Sequence, residues 1–128
     1  MKPWLDKTMI KNFLHTKWPA LLWSAIIFIL LAMPSSGLES KTLINVPGLD
    51  KLVHFSLFAV YSWLWVRFAS RTKPVSGNIL LFIILSGCLF GIAMEFVQLH
   101  PFVNRDFEWG DMVADGLGAC IIFIIRKR

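Results

Sequence analysis

The chain has 128 residues, so it has room for one domain. Hydrophobic residues make up 56% of it and its mean hydropathy is +0.64. Soluble domains run near 45–50% apolar, so the composition excludes an ordinary water-soluble core and points to a membrane protein. The net charge of +5 raises the question of nucleic acid, and the placement of the basic residues answers it below.

The first seventeen residues are polar and basic. Leu5, Met9 and Phe13, with Ile10 and Leu14, fall at helical spacing around Lys7 and Lys11. Two readings are open: an amphipathic helix lying on anionic lipid, or a plain cytoplasmic lead-in, which is the preferred one. Residues 18–128 then form a single membrane domain. Its first apolar segment, Trp18–Met33, carries no charge and ends at Pro34-Ser35-Ser36-Gly37. Met33-Pro34-Ser35 is a poor signal-peptidase site, so the segment is expected to stay on the chain. The longest loop follows, with Pro47-Gly48 before the next helix.

The second segment is Leu52–Ala69, with His54 near its start and Arg67 near its end. A short turn, Ser70–Gly77, leads to the third, Leu80–Val97, with Glu95 near its end. Leu99–Asp106 contains Pro101. The fourth segment is Phe107–Ile125, with Asp106 as the expected N-cap and Glu108 in the first turn. Each segment spans roughly 24–29 Å as a helix. Strand alternation is absent, and an open sheet does not cross lipid. The expected fold is an all-α, polytopic bundle of four transmembrane helices.

Ten of the thirteen basic residues precede the first segment, surround the turn between the second and third, or end the chain. Lys41, Lys51 and Arg105 are the exceptions. The positive-inside rule then puts both termini in the cytoplasm. The positive charge is thus accounted for by topology, and no nucleic-acid partner is expected. Seven of the eight acidic residues, all but Asp6, fall toward the other side. Cys88 and Cys120 project to mid-membrane depth and are expected as free thiols.

The candidate site lies at the non-cytoplasmic end. Asp50 and His54 are i,i+4 and share a helix face, continued by Tyr61. Glu95 and Gln98 are i,i+3. Gly87, Gly91 and Glu95 recur every four residues, a small-residue stripe suited to close helix contact. Asp111, Asp115 and Ala119 repeat that spacing, with Gly118 beside them. Ionisable groups at membrane depth are costly and usually face the bundle interior. Asp50, Lys51, His54, Glu95, Gln98, Arg105, Asp111 and Asp115 are therefore expected to converge. The bland alternative is packing: Lys51 with Glu95, or Arg105 with Asp111, as interhelical ion pairs.

Asp50-Lys51-x-x-His54, Glu95-x-x-Gln98, and Arg105 followed by Asp111-x-x-x-Asp115-x-x-Gly118 together resemble the VanZ-like membrane protein family over Asp50 to Ile125. Asp115 stands where that family commonly has Asn. The resemblance implies a multi-pass protein of the bacterial cytoplasmic membrane. The family's namesake is associated with resistance to the glycopeptide antibiotic teicoplanin, and most members have no defined activity.

Three functions follow as expectations. The first is recognition of an envelope lipid or glycolipid head group, or of a glycopeptide antibiotic, with Lys51 and Arg105 holding phosphate. The second is an intramembrane hydrolase or transferase with His54, oriented by Asp50, as base and Glu95 as acid. A divalent-metal version would use Asp50, His54, Glu95 and Asp111 as ligands. The third is a non-catalytic membrane scaffold. No nucleophile motif, HExxH or phosphate loop is present in the sequence.

Overall fold

Residues 47–69 show how the chain enters its polar end. Gly48 takes φ +81°, the left-handed region that glycine occupies without a Cβ penalty, and α3 begins at the next residue. The computed structural model describes residues 7–34 and 47–126. All of its regular structure there is helical: α1 Lys7–Leu14, α2 Trp18–Leu31, α3 Leu49–Ala69, α4 Gly77–Gln98 and α5 Trp109–Arg126. The long loop expected after the first segment falls largely on residues 35–46, outside the described residues. So do Lys2, Lys41, Lys127 and Arg128, which the charge count used.

Two helices, α3 and α4, are long and apolar enough to cross a membrane. The α1–α2 pair passes the same criterion only as a unit bent by 63°. By itself α2 has 14 residues, about 21 Å of rise. The 18 residues of α5 include Asp111, Asp115 and Arg126. Two helices thus meet the criterion alone, the α1–α2 pair meets it only as a bent unit, and α5 does not meet it.

Residues 7–14 are helical, and none of their side chains is buried. Two local expectations at the start of α5 are corrected. Asp106 does not cap α5, because residues 104–108 lack regular structure. The Glu108 carbonyl accepts the first helical N–H groups instead, from Asp111 and Met112. Glu108 therefore stands just outside the helix rather than in its first turn.

The helix contacts form a triangle of α3, α4 and α5; α2 packs against α3 and α4, and α1 against α2 and α3. Glycine sets the closest approaches. A Cβ at Gly118 would lie 2.2 Å from the Phe55 carbonyl oxygen, so α5 rides directly on the α3 backbone. A Cβ at Gly91 would lie 2.7 Å from that of Asp115, and one at Gly87 3.0 Å from that of Ala119. Such approach maximises dispersion contact where lipid supplies no hydrophobic drive between helices. Ile27, Leu31, Leu57, Phe58, Tyr61 and Met94 fill the space between α2, α3 and α4. Two polar ties hold α2 there: Trp23 Nε1 donates to the Leu57 carbonyl at 2.9 Å, and Gln98 Nε2 to the Leu31 carbonyl at 3.1 Å.

The outward faces are apolar. Leu22, Ile29, Phe82, Leu89, Phe96 and Leu117 are all exposed, the reverse of a soluble protein's pattern. The two ends differ in charge. His15 donates to the Arg67 carbonyl at 2.8 Å and Arg126 to the Val75 carbonyl, which gathers basic residues at one end. Lys51, Glu95, Glu108, Asp111 and Asp115 gather at the other.

Candidate functional site

The first turns of α3, the last turns of α4 and the first turns of α5 meet at the acidic end. The contact of Gly118 with Phe55 fixes the register between α3 and α5, and it carries Asp115 to His54. His54 Nδ1 and Asp115 Oδ1 are 2.9 Å apart. His54 is 3% exposed and Asp115 1%. On the other side of the ring, His54 Nε2 lies 3.6 Å from Asp111 Oδ2. The ring is thus held between two carboxylates of α5.

Glu95 comes down from α4 and is fully buried. Its Oε2 accepts the Glu108 backbone N–H at 3.2 Å. Its Oε1 and Asp115 Oδ2 have no hydrogen-bond partner among the described residues. Gly91, one turn before Glu95, leaves the space that the Asp115 carboxylate uses.

A second layer covers this one. Lys51 Nζ contacts Glu108 Oε2 at 2.7 Å, Asp50 Oδ2 at 2.9 Å and Asp111 Oδ1 at 3.3 Å. Its stem lies across Gly110, where a Cβ would sit 2.5 Å from Lys51 Cε. Lys51, Asp50 and Glu108 are each close to half exposed. The layers share Asp111, giving a relay of contacts from Lys51 through Asp111 and His54 to Asp115.

Several sequence expectations change here. Asp50 does not orient His54; it sits at the exposed start of α3 and pairs with its neighbour Lys51, and Asp115 takes its place. Lys51 pairs with three carboxylates, none of them Glu95. Arg105 does not pair with Asp111. Its backbone N–H donates to the Gln98 carbonyl, and no carboxylate pairs with its guanidinium among the described residues. Gln98 is 1% exposed and its amide is committed to Leu31, so it braces α2 rather than lining the cluster. Glu108, expected only as a dipole partner, contacts both Glu95 and Lys51. The Glu108-x-x-Asp111 spacing was the available signal, and a helix start placed two residues early hid it.

Chemically, the inner layer offers a histidine whose tautomer a carboxylate can set. With Nδ1–H donating to Asp115, the Nε2 lone pair is left to accept a proton. The same atoms suit a cation. Ligand atoms of His54, Glu95 and Asp115 all lie within 4.8 Å of one another, and so do those of Asp50, Glu108 and Asp111. The expected set of Asp50, His54, Glu95 and Asp111 is therefore split between two layers. Cys88 and Cys120 are free.

No protein-family model matches this chain, and no solved structure matches it. Over 102 residues it is 31% identical to an uncharacterized protein of Schizosaccharomyces pombe. That similarity covers 78% of this chain and 60% of the fungal protein, so the chain spans about 60% of the relative's length. The relative is eukaryotic. It lends no support to the bacterial membrane or the glycopeptide resistance that the VanZ-like resemblance implies.

Proposed function

We propose that this chain is a four-span membrane protein, both termini cytoplasmic, that performs acid–base chemistry on the polar head group of a membrane amphiphile at the opposite face. The reaction class is hydrolysis or transfer, with His54 as the proton acceptor and Asp115 orienting it. The observation that carries the reading is the buried His54–Asp115 pair beside the unpartnered carboxylate oxygen of Glu95. Packing alone does not call for two unpartnered carboxylate oxygens in an interior, where burial without compensation is costly.

Depth and cover agree with a head-group substrate. His54 lies about 7–8 Å along α3 from its first residue, close to the interface. Lys51 and Glu108 form an exposed ion pair above it, and exposed pairs are weak and readily exchanged. Trp109, 73% exposed at the same end, suits an interfacial belt. The segregation of basic residues to the other end supports the topology.

A second reading is recognition without turnover, of an envelope lipid, a glycolipid or a glycopeptide. Arg105 favours it, because its guanidinium is uncommitted to any described carboxylate and matches a phosphate or carboxylate in a fork.

Reconstitution in vesicles made from the host's own lipid extract tests both, with products read by mass spectrometry. Wild type should generate head-group products, and His54→Gln should slow that by about 10²–10⁴-fold. No product from wild type removes the enzymatic reading. A lipid retained by wild type and lost in Arg105→Ala would then favour the second.

A further inference from the structure

We propose that His54, Glu95 and Asp115 form a binding site for a divalent transition-metal ion of the zinc or manganese kind. The two layers of the cluster contrast in charge and burial. Each gathers three ligand atoms within 4.8 Å of one another. In the outer layer a positive charge is built in: the Lys51 ammonium sits 2.7–3.3 Å from oxygens of Asp50, Glu108 and Asp111. That layer is neutralised by the chain itself and has half-exposed members. The inner layer is different. All three residues are at least 97% buried. No lysine or arginine pairs with Glu95 or Asp115 among the described residues. Each of those carboxylates keeps one buried oxygen with no partner.

Buried charges in proteins are paired or coordinate metals. Two carboxylates match a dication in charge, and the imidazole moves the preference from magnesium or calcium toward a transition metal. Tetrahedral bonds of about 2.1 Å place ligand atoms about 3.4 Å apart, so modest rotation of the Glu95 and Asp115 side chains draws the set in. Asp111 Oδ2, 3.6 Å from His54 Nε2, is placed to orient the ring or to add a ligand. The Glu108 N–H on Glu95 Oε2 fixes that carboxylate from behind. Gly91 keeps the α4 side of the site open to Asp115.

The site uses the same cluster as the proposed chemistry but stands without it, since metal binding is measured without turnover. The full chain is purified in mild detergent without chelator, and its metal content is measured by mass spectrometry. It is then stripped with EDTA, and its unfolding is followed on adding zinc, manganese or magnesium. Wild type should retain about one transition-metal ion per chain. The stripped protein should be stabilised by zinc or manganese and not by equal magnesium. Asp115→Asn and Glu95→Gln should weaken metal affinity at least tenfold, whereas Asp50→Asn should bind like wild type. Retention of no metal by wild type, with no stabilisation on addition, overturns the proposal. So does loss of the metal in Asp50→Asn with retention in Asp115→Asn. Should the inner variants fail to fold, the wild-type stoichiometry and selectivity decide alone. Metal retained without head-group turnover would keep the site and remove the acid–base reading; turnover by a chain that neither retains nor binds metal would do the reverse.

Discussion

His54 has one acidic residue a turn away on its own helix, Asp50, and two across the bundle, Asp111 and Asp115, of which Asp115 makes the hydrogen bond. The i,i+4 relation puts Asp50 and His54 on one face, but Asp50 belongs to the exposed first turn and its charge is taken up by Lys51. Asp50→Asn should therefore leave the His54 ring signals in NMR nearly unchanged, whereas Asp115→Asn should move them; equal shifts from both would contradict the assignment. Gln98 shows the same kind of limit. Its spacing from Glu95 is visible in the sequence, yet its amide serves the Leu31 carbonyl, a tertiary partner that no spacing announces. Gln98→Ala should cost about 1–3 kcal/mol by stranding that carbonyl, read as a lower unfolding midpoint in detergent, while leaving metal content intact.

At the scale of the helices, α3 and α4 were legible because long apolar runs with few charges have one solution in lipid. The small-residue spacing of Gly87, Gly91 and Gly118 also marked faces that the structure uses for close approach. What spacing does not encode is which partner meets each face and at what register. That is set by the Gly118–Phe55 contact, and it decides that Asp115 rather than Asp50 reaches His54. Gly118→Ala should thus be disruptive, by about 1–3 kcal/mol or more, since the obstacle is backbone. Gly116→Ala, whose Cβ would meet Cys88 Sγ at an ordinary 3.8 Å, should be tolerated. Thermal unfolding of the two in detergent compares them directly. The N-terminal helix was the weaker inference, because eight residues give little periodicity and short helices depend on their surroundings. Met9 and Phe13 are exposed on α1. Their replacement by Glu should leave bundle stability nearly unchanged and reduce quenching of Trp18 by brominated lipid; an unchanged quench would place α1 away from the bilayer.

For the whole molecule, the separation of basic and acidic ends makes a topological statement. In a background lacking Cys88 and Cys120, single cysteines at Ser76 and Asn104 should label from opposite sides with an impermeant maleimide, Ser76 from the cytoplasm. Labelling of both from one side would undo the proposed arrangement. The acidic end also has a thermodynamic cost for the fold. A sealed cluster of carboxylates with unpartnered oxygens opposes folding, as sites kept for function commonly do. Ion pairs kept for packing behave otherwise, and breaking one that is buried costs about 3–5 kcal/mol. Glu95→Gln separates these, because the amide carbonyl keeps the bond from Glu108 while the charge is removed. The deciding measurement is the unfolding midpoint of chelator-treated Glu95→Gln against chelator-treated wild type. A midpoint equal to or above wild type is the predicted result; a fall equivalent to several kcal/mol would show that the Glu95 charge serves packing and contradict the account.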